Sequence, residues 1–380
     1  AKGESYRERR GRAALGIYGQ ETTPDQGQTK EETHLNKTRF TMDDLSEDAL
    51  LSPVDMDTFI GTDSISAAHK EAISGAAFNV TGKRITSFCS IGSAIDSKSF
   101  GFEDPQHKAF KAGTEDGKFL FVKINTTSDA KAKLDREVQG LHSMRRTRSV
   151  RVPKVITVTS LPGGRAAALI LEYVEMTTMT LDEERKFGTK LARMHMDTGS
   201  ERFGYPCNTW LETTLQINDW RGDWCDFFSE HRLGQQAEMI LEKHGDAEVS
   251  AKVKLLRADL RKRFFEGLEI KPSLLHGNLW SRNWGTDSTG RAVVYDPAAY
   301  FGHNEMELAM LTLFGGPSKG FFFAYHELLP RVEPGYENRM FLYKLYHYLN
   351  LYLQFGRGFR ATCMALLNLL VGPSVRGGSA

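Results

Sequence analysis

The sequence predicts an α+β fold with two lobes: a small β-rich N-terminal lobe and a larger helical C-terminal lobe. The chain of 380 residues is longer than one hydrophobic core usually supports. Its hydrophobic pattern is typical of strands up to about Met176 and of helices after it. We therefore expect a flexible polar extension over residues 1–40, an N-terminal lobe over residues 41–175 and a C-terminal lobe over residues 176–380.

The N-terminal lobe is predicted from short strands with alternating polarity around a helix. In the stretch Phe119–Ile124, Leu120 and Val122 point to one face of a strand and Lys123 points to the other. In Ser128–Arg146, apolar residues recur at helical spacing. The pattern also predicts a helix over Ile65–Ala77 and strands over Thr86–Ser90, Lys154–Thr159 and Ala167–Tyr173.

The C-terminal lobe is predicted from helical stretches with one β interruption. It opens with a capping box over Thr180–Glu183. The interruption is Leu274–Asp296, where Asp287–Gly290 turns the chain between the short strands Trp284–Thr286 and Ala292–Tyr295. Further helices are predicted over Asp223–Lys243, Glu248–Glu266, Glu305–Leu313, Lys319–Leu328, Asn338–Gln354 and Thr362–Leu370.

The composition disfavours several classes of protein. Lys and Arg (49) almost balance Asp and Glu (48), so no overall field is available to hold a nucleic acid or an anionic membrane. The four cysteines, Cys89, Cys207, Cys225 and Cys363, are far apart, which is typical of a reducing compartment. No apolar run reaches the length of a membrane span. We expect a cytoplasmic protein, with an organelle-targeted form as the open alternative.

Lys123 is the first candidate for chemistry because of its place in the order of elements. It follows the loop Ser90–Ala94 and precedes a helix that carries Glu137. A kinase uses this order to hold a lysine against the ATP phosphates with a glutamate partner. The loop residues Ile91, Gly92 and Ser93 are the predicted phosphate contacts, although one glycine makes a weak motif. The alternatives are a solvated lysine and a surface glutamate.

A second group of candidates lies in the β interruption of the C-terminal lobe. In kinases a catalytic carboxylate precedes a magnesium-binding Asn by five residues, and a second metal carboxylate follows a β-hairpin. Asn283, within the stretch His276–Asn283, and Asp296, which follows 13 residues later, match the two metal positions. Their amide and carboxylate oxygens suit Mg²⁺. The alternative is an Asn turn followed by an Asp-Pro strand terminator.

The position of the catalytic base is occupied by Asn278 instead of Asp. An amide cannot take a proton from a hydroxyl, but it can orient that hydroxyl by a hydrogen bond. A general base contributes roughly 10²–10⁴-fold to the rate. We therefore predict an inactivated Asp→Asn form of an otherwise complete enzyme, with a natural pseudokinase as the alternative.

The strand Leu169–Val174 leads into the predicted hinge between the lobes. Backbone groups of Glu172, Tyr173 and Val174 are the predicted contacts of the adenine ring, and an edge strand without a ligand is the alternative. Taken with Lys123, this order of parts predicts a protein-kinase-like fold that binds Mg²⁺ and ATP.

Several stretches show a more specific resemblance. They are Phe203–Tyr205, Trp220–Trp224, Leu274–Asn283, Asp296–His303 and Leu313–Gly316. Between about residues 120 and 350 the chain resembles the fructosamine/ketosamine 3-kinases, which are relatives of the aminoglycoside phosphotransferases. The chain departs from the family in its loop at Ser90, where many members have several glycines, and at Arg282, where many have Gly.

The resemblance implies ATP-dependent phosphorylation of the 3-hydroxyl of a ketosamine, such as fructosyl- or ribulosyl-lysine, free or on a protein. The 3-phosphate is unstable and frees the amine, so the implied role is protein deglycation. Trp220, Asp223 and His303 are the implied sugar contacts. The expected partners are ketosamines or glycated proteins, with no nucleic acid and no membrane, and the expected state is a monomer or a weak dimer. A disulfide-linked dimer through Cys89 is a separate hypothesis.

Two other functions stay open at this point. The first is a small-molecule kinase with another acceptor, such as an aminoglycoside or a choline-like amine, because the fold does not fix the substrate. The second is a nucleotide-binding module without catalysis, in which Asn278 is the native residue.

Overall fold

The computed structural model describes residues 65–91, 107–197 and 199–372. The predicted polar extension over residues 1–40 lies outside the described residues, as do Gly92 and Ser93 of the predicted phosphate loop. The strands predicted for the N-terminal lobe and the helices predicted after them lie within the described residues.

A five-stranded antiparallel sheet forms the first part of the fold, with the strand order β1-β2-β3-β5-β4. Its strands are β1 (Ile85–Ser90), β2 (His107–Thr114), β3 (Phe119–Asn125), β4 (Val155–Ser160) and β5 (Ala167–Glu172). Strands β1, β3, β4 and β5 confirm the prediction to within about one residue at each end. Strand β2 was not predicted, because its alanines, lysines and glycine have low strand propensity.

Two helices pack on this sheet, one on each face. Helix α1 (Ala67–Thr81) is capped by Ser66, whose hydroxyl oxygen accepts a hydrogen bond from the backbone amide of His69. It packs on Val122 and Ile170, whereas helix α2 (Ala130–Thr147) packs on the opposite face. Because successive strand residues alternate between faces, Lys123 points to the side of α2.

The second part of the fold is mainly helical. Helix α3 (Leu181–Met196) has the predicted capping box, in which Thr180 and Glu183 exchange hydrogen bonds. The other helices are α4 (Trp224–Phe228), α5 (Gln235–His244), α6 (Ala247–Ala258), α7 (Asn304–Leu311), α8 (Lys319–His326), α9 (Tyr336–Phe355) and α10 (Arg360–Val371). The predicted helix over Asp223–Lys243 is α4 and α5 joined by a π-helical turn, Ser229–Gly234.

Three short β pairs interrupt the helices. Strands β9 (Trp284–Thr286) and β10 (Ala292–Val294) form the predicted hairpin, and β8 (Ser273–Leu275) pairs with β11 (Tyr300–Gly302). A further hairpin, β6 (Thr209–Leu211) and β7 (Thr214–Gln216), was not predicted, because strands of three residues show no clear alternation.

The β pairs pack against a core built around Trp224, Phe227, Phe228 and Tyr343, all buried. Their packing fixes the loops between the short strands, which carry most of the candidate residues. Within the described ranges, no helix combines the length and apolar character needed to cross a bilayer.

Candidate active site

A buried ion cluster joins the sheet to the helical part of the fold. The Nζ of Lys123 on β3 donates to Glu137 Oε2 on α2 at 2.9 Å and also to Asp296 Oδ1, which follows β10. Burial alone would lower the pKa of Lys123, but the two carboxylates raise it well above its ordinary value. Burial opposes ionisation of Asp296, yet Lys123 holds its pKa below the usual range. Lys123 is therefore a fixed cation.

Close packing positions the two carboxylates of this cluster. Helix α2 approaches the segment after β10 at Gly140, where a Cβ would lie 3.0 Å from Pro297 and 3.1 Å from Ala299. Asp296 has a φ of 61°, a left-handed conformation that is uncommon for residues other than glycine. The strained backbone and the close helix together aim Asp296 at Lys123.

The loop after β8 is held by the buried carboxylate of Glu307 on α7. The Glu307 carboxylate accepts hydrogen bonds from the backbone amides of His276 and Gly277, the second at 3.0 Å. Gly277 has a φ of 76°, and a Cβ there would overlap the carbonyl oxygen of Ala298. His276 donates its Nε2 proton to the Tyr295 carbonyl at 2.8 Å, and burial lowers its pKa, so the ring is neutral.

Asn278 and Asn283 lie together in this loop and beside Asp296. The Nδ2 of Asn283 donates to the Asn278 carbonyl at 2.8 Å. The Nδ2 of Asn278 donates to the backbone carbonyl of Asp296 at 3.2 Å and to Glu212 Oε1 at 3.2 Å. The structure thus brings together the residues predicted for the base position, the metal positions and the lysine.

Glu212 also belongs to this site, although no sequence pattern predicts it. It lies in the turn between β6 and β7 with a φ of 57°. Burial of its carboxyl group and the negative charge of Asp296 raise the pKa of Glu212 to about 7. No motif surrounds it, so its only signal is its contact with Asn278, which is 66 residues away along the chain.

Lys123, Glu137, Glu212, Asn278 and Asp296 line one cleft, which we call the charged cleft. Its lining consists of His107, Lys123, Asn125, Lys133, Leu134, Arg136, Glu137, Thr209, Trp210, Glu212, Asn278, Asp296 and Pro297. Its lysine and arginine side chains, Lys123, Lys133 and Arg136, can bind phosphate oxygens, while Glu137, Glu212 and Asp296 bring three carboxylates to the same cleft.

A second cavity, the apolar cavity, shares Glu212 and Asn278 with the charged cleft. Its other lining residues are Leu211, Trp280, Met310, Leu313, Phe314, His347, Asn350, Leu351, Gln354, Phe355 and Phe359. The two cavities therefore meet at the contact between Glu212 and Asn278.

The predicted hinge residues follow directly from β5. The amide of Glu172 donates to the Lys154 carbonyl at 2.8 Å, so this amide is already used within the protein. Its side chain accepts from Arg151 at 2.9 Å. Val174 follows as a half-buried residue, and Ile91 is exposed at the end of β1.

The three implied sugar contacts are not among the lining residues of the charged cleft or the apolar cavity. His303 is buried and bonded to Tyr343 at 2.6 Å, and its pKa is well below the ordinary value because of burial. Asp223 caps α4 and pairs with Arg261 at 2.7 Å. Trp220 packs on Phe301. The roles of His303, Asp223 and Trp220 as sugar contacts stay predictions.

The donor set at the predicted metal positions suits a cation held partly by a substrate. Within the described residues, no cluster of three or more His, Cys, Asp or Glu side chains could enclose a metal ion. Asn283 uses its Nδ2 on the Asn278 carbonyl, so Oδ1 is its ligand atom. That oxygen and the Asp296 carboxylate are hard ligands of the kind that Mg²⁺ combines with phosphate and water.

Comparison with known proteins identifies relatives over most of the described chain. A family model described as fructosamine kinase matches residues 104–372. A chloroplastic protein-ribulosamine 3-kinase of Oryza sativa subsp. japonica is 40% identical over 256 residues, which are 67% of this chain and 72% of that protein. Ketosamine-3-kinase of Mus musculus is 34% identical over 66% of this chain and 87% of its own length.

Solved structures agree with this assignment. A protein of Haemophilus somnus 129PT assigned to the fructosamine-3-kinases has a TM-score of 0.70 and 26% identity, over 80% of this chain and 98% of its own. Aminoglycoside phosphotransferase APH(4)-Ia, at 16% identity and a TM-score of 0.53, covers 79% of this chain and 98% of its own and shares the fold. The chain has the predicted protein-kinase-like fold and belongs to the fructosamine kinase family of phosphotransferases.

Proposed function

We propose that the protein transfers the γ-phosphoryl group of ATP to the 3-hydroxyl of a ketosamine, with ribulosyl-lysine and fructosyl-lysine as the acceptors. The observation that carries the proposal is the buried cluster of Lys123, Glu137 and Asp296 next to Asn278 and Asn283. Phosphoryl transfer depends mainly on positioned charges, and this cluster supplies them in one cleft.

ATP would place its phosphates in the charged cleft. Lys123 provides a permanent positive charge there, and Lys133 and Arg136 line the same cleft. The carbonyl of Glu172 and the amide of Val174 would pair with adenine, as hinge groups do in kinases. Glu137 keeps the Lys123 ammonium in place through the ion pair at 2.9 Å.

Magnesium would be held by Asn283 Oδ1 and the Asp296 carboxylate. When bound, Mg²⁺ neutralises charge that develops on the transferred group. Asp296 would then serve two cations, because its Oδ1 already pairs with Lys123. Its left-handed backbone conformation fixes the carboxylate for that double role.

The acceptor would approach Asn278 from the side of the apolar cavity. There the alkyl chain of a modified lysine can pack on Trp280 and Leu351, while the sugar hydroxyls face Asn278. The unstable 3-phosphate implied by the family would release the amine, which makes protein deglycation the proposed role.

Asn278 orients the hydroxyl in this proposal but cannot take its proton. Acting alone it would lower turnover by roughly 10²–10⁴-fold relative to Asp. An inactivated enzyme is therefore the expectation unless another carboxylate takes the proton.

The test compares the chain with its Asn278→Asp variant in Mg·ATP turnover on ribulosyl-lysine and fructosyl-lysine, with an aminoglycoside as the counter-acceptor. ATP binding is measured separately by calorimetry. Turnover of either ketosamine by either protein supports the proposal, and turnover by the variant alone shows that Asn278 is inactivating. ATP binding without ketosamine turnover by either protein rejects the acceptor and favours a nucleotide-binding module.

A further inference from the structure

Glu212 occupies a backbone position that is unfavourable for its residue type. Its φ of 57° is a conformation that glycine adopts freely and other residues rarely do. Among the described non-glycine residues, Arg148, Glu212 and Asp296 have positive φ, and two of these three carry carboxylates at the proposed active site. Strained residues of this kind concentrate at functional sites, so the side chain of Glu212 is a candidate for a functional role.

The hydrogen bonds of Asn278 match this carboxylate. The two protons on Asn278 Nδ2 go to Glu212 Oε1 and to the Asp296 carbonyl, both at 3.2 Å. An aspartate at position 278 would place its own oxygen against these two acceptors, which is unfavourable. The contact between residues 212 and 278 therefore suits one carboxylate and one amide, and the carboxylate is on Glu212.

Glu212 also lies where a proton would have to be removed. It lines both the charged cleft and the apolar cavity. Among the lining residues of the two, Asn278 is the other residue that they share. In the proposed function the phosphates of ATP lie in the first cavity and the acceptor enters from the second. The acceptor hydroxyl would then pass next to the Glu212 carboxylate.

We propose that Glu212 is the general base of this chain and takes over the proton transfer that Asn278 cannot perform. The inference rests on the proposed function. The O–H bond of the acceptor breaks and its proton passes to the Glu212 carboxylate. The acceptor oxygen forms a bond to the γ-phosphorus of ATP, and the bond from that phosphorus to the bridging oxygen breaks, leaving its electron pair on ADP. Glu212 returns the proton to water after product release.

The charges around Glu212 suit this role. Asp296 faces it from the segment after β10, while Lys123 on β3 and His107 on β2 face it from the sheet. Burial and Asp296 keep the carboxylate basic, whereas Lys123 and His107 limit the effect. A carboxylate with a pKa near neutrality is a more effective base than an ordinary glutamate.

The experiment is a cycle of variants at positions 212 and 278. Glu212→Gln keeps an acceptor for Asn278 but removes the base, so kcat should fall by roughly 10²–10⁴-fold. Glu212→Gly should cause a similar loss. Adding Asn278→Asp to Glu212→Gly returns a single carboxylate to the contact, and most of the lost kcat should be recovered.

Stability provides a readout that is independent of activity. Glycine accepts the left-handed backbone, so Glu212→Gly should keep an unfolding midpoint at or above that of the parent chain. Arg148→Gly is the matched control, since Arg148 is exposed on the surface with a φ of 54°. It should affect the midpoint in the same direction without the loss of kcat. ATP affinity, measured by calorimetry, should be similar for the parent and Glu212→Gln.

Release of ADP is measured with ketosamine and with water as the acceptor, so that the two proposals can fail separately. Parent-like kcat in Glu212→Gln overturns the inference, as does failure of Asn278→Asp to rescue Glu212→Gly. If no ketosamine is phosphorylated, the proposed function fails, and the same cycle in the slow hydrolysis of ATP still tests Glu212. A lowered midpoint for Glu212→Gly would assign Glu212 a structural role instead.

Discussion

The charged cleft and the apolar cavity differ in what holds them together, although they share one wall. The charged cleft depends on an ion cluster in which Lys123 neutralises two buried carboxylates. The apolar cavity is lined by side chains such as Trp280 and Leu351, which pack without charge. Removing one charge from the cleft leaves others unpaired, whereas the cavity can lose one contact and keep the rest. Substitutions in the cleft should therefore have the larger effects.

The largest effect is expected for Lys123→Ala. Its loss leaves Glu137 and Asp296 buried without their cation, which should cost about 3–5 kcal/mol of unfolding free energy. Mg·ATP turnover should fall by at least ~10²-fold, because a positioned charge at the phosphates is lost. Urea unfolding and steady-state kinetics measure the two effects.

Lys131→Ala is the matched control, because Lys131 pairs with Asp135 on the exposed surface of α2. It should cost no more than about 0.5 kcal/mol. Equal losses for the two lysine variants would show that the cluster has no special role.

An intermediate effect on kcat/KM is expected when the pH is changed. It tests the role of Glu212, which lines both cavities. Glu212 accepts a proton only when ionised, and its pKa is about 7. Below that pH its carboxylate becomes protonated, so kcat/KM should fall by up to tenfold per pH unit. Lys123 keeps its charge throughout this range because its pKa is raised. A profile that is flat between pH 5 and 8 would contradict the assignment.

The pKa of Glu212 also predicts the direction in which folding stability changes with pH. Its folded-state pKa lies above the unfolded value of 4.5, so its contribution to stability is complete at low pH and is lost as pH rises through about 7. Glu212→Gln does not titrate and should gain stability relative to the parent between pH 5 and 8. Thermal unfolding of both proteins across this range measures the difference.

The smallest effect is expected in the apolar cavity. Leu351→Lys places a charge on a half-buried position of α9, where its long side chain can still reach water. The KM for the ketosamine should rise by roughly tenfold, about 1.4 kcal/mol, while ATP affinity stays near that of the parent.

The control for this variant is Leu255→Lys, on the exposed surface of α6, where 60% of the leucine is accessible. Weaker ATP binding in Leu351→Lys with an unaltered ketosamine KM would contradict the division of the two cavities.

The sequence predicted most of the fold and much of the ion cluster. Helices and strands with clear periodicity, such as α3 and β3, were confirmed, because a capping box and an alternating strand are local signals. The order of Lys123 and Glu137 along the chain predicted their meeting, and the structure places them 2.9 Å apart. The roles proposed for them at the ATP phosphates stay predictions.

The misses have a common physical cause. Strand β2 is stabilised by pairing with β1 and β3, and β6 by pairing with β7, so these strands depend on backbone pairing and their own residues carry little signal. Trp220 and His303 lie in stretches that resemble the family's, and their roles as sugar contacts stay predictions. The resemblance does not show which way a side chain points, and His303 is bonded to Tyr343 in the core.

The sequence by itself determined the family resemblance, the α+β fold and the positions of Lys123, Asn278 and Asp296, because these depend on residue type and spacing. Only the tertiary structure placed Glu212 against Asn278, which is 66 residues away. A contact between two turns depends on how the hairpin and the loop after β8 pack together. No local pattern records that packing, so the carboxylate beside Asn278 became visible only in the folded chain.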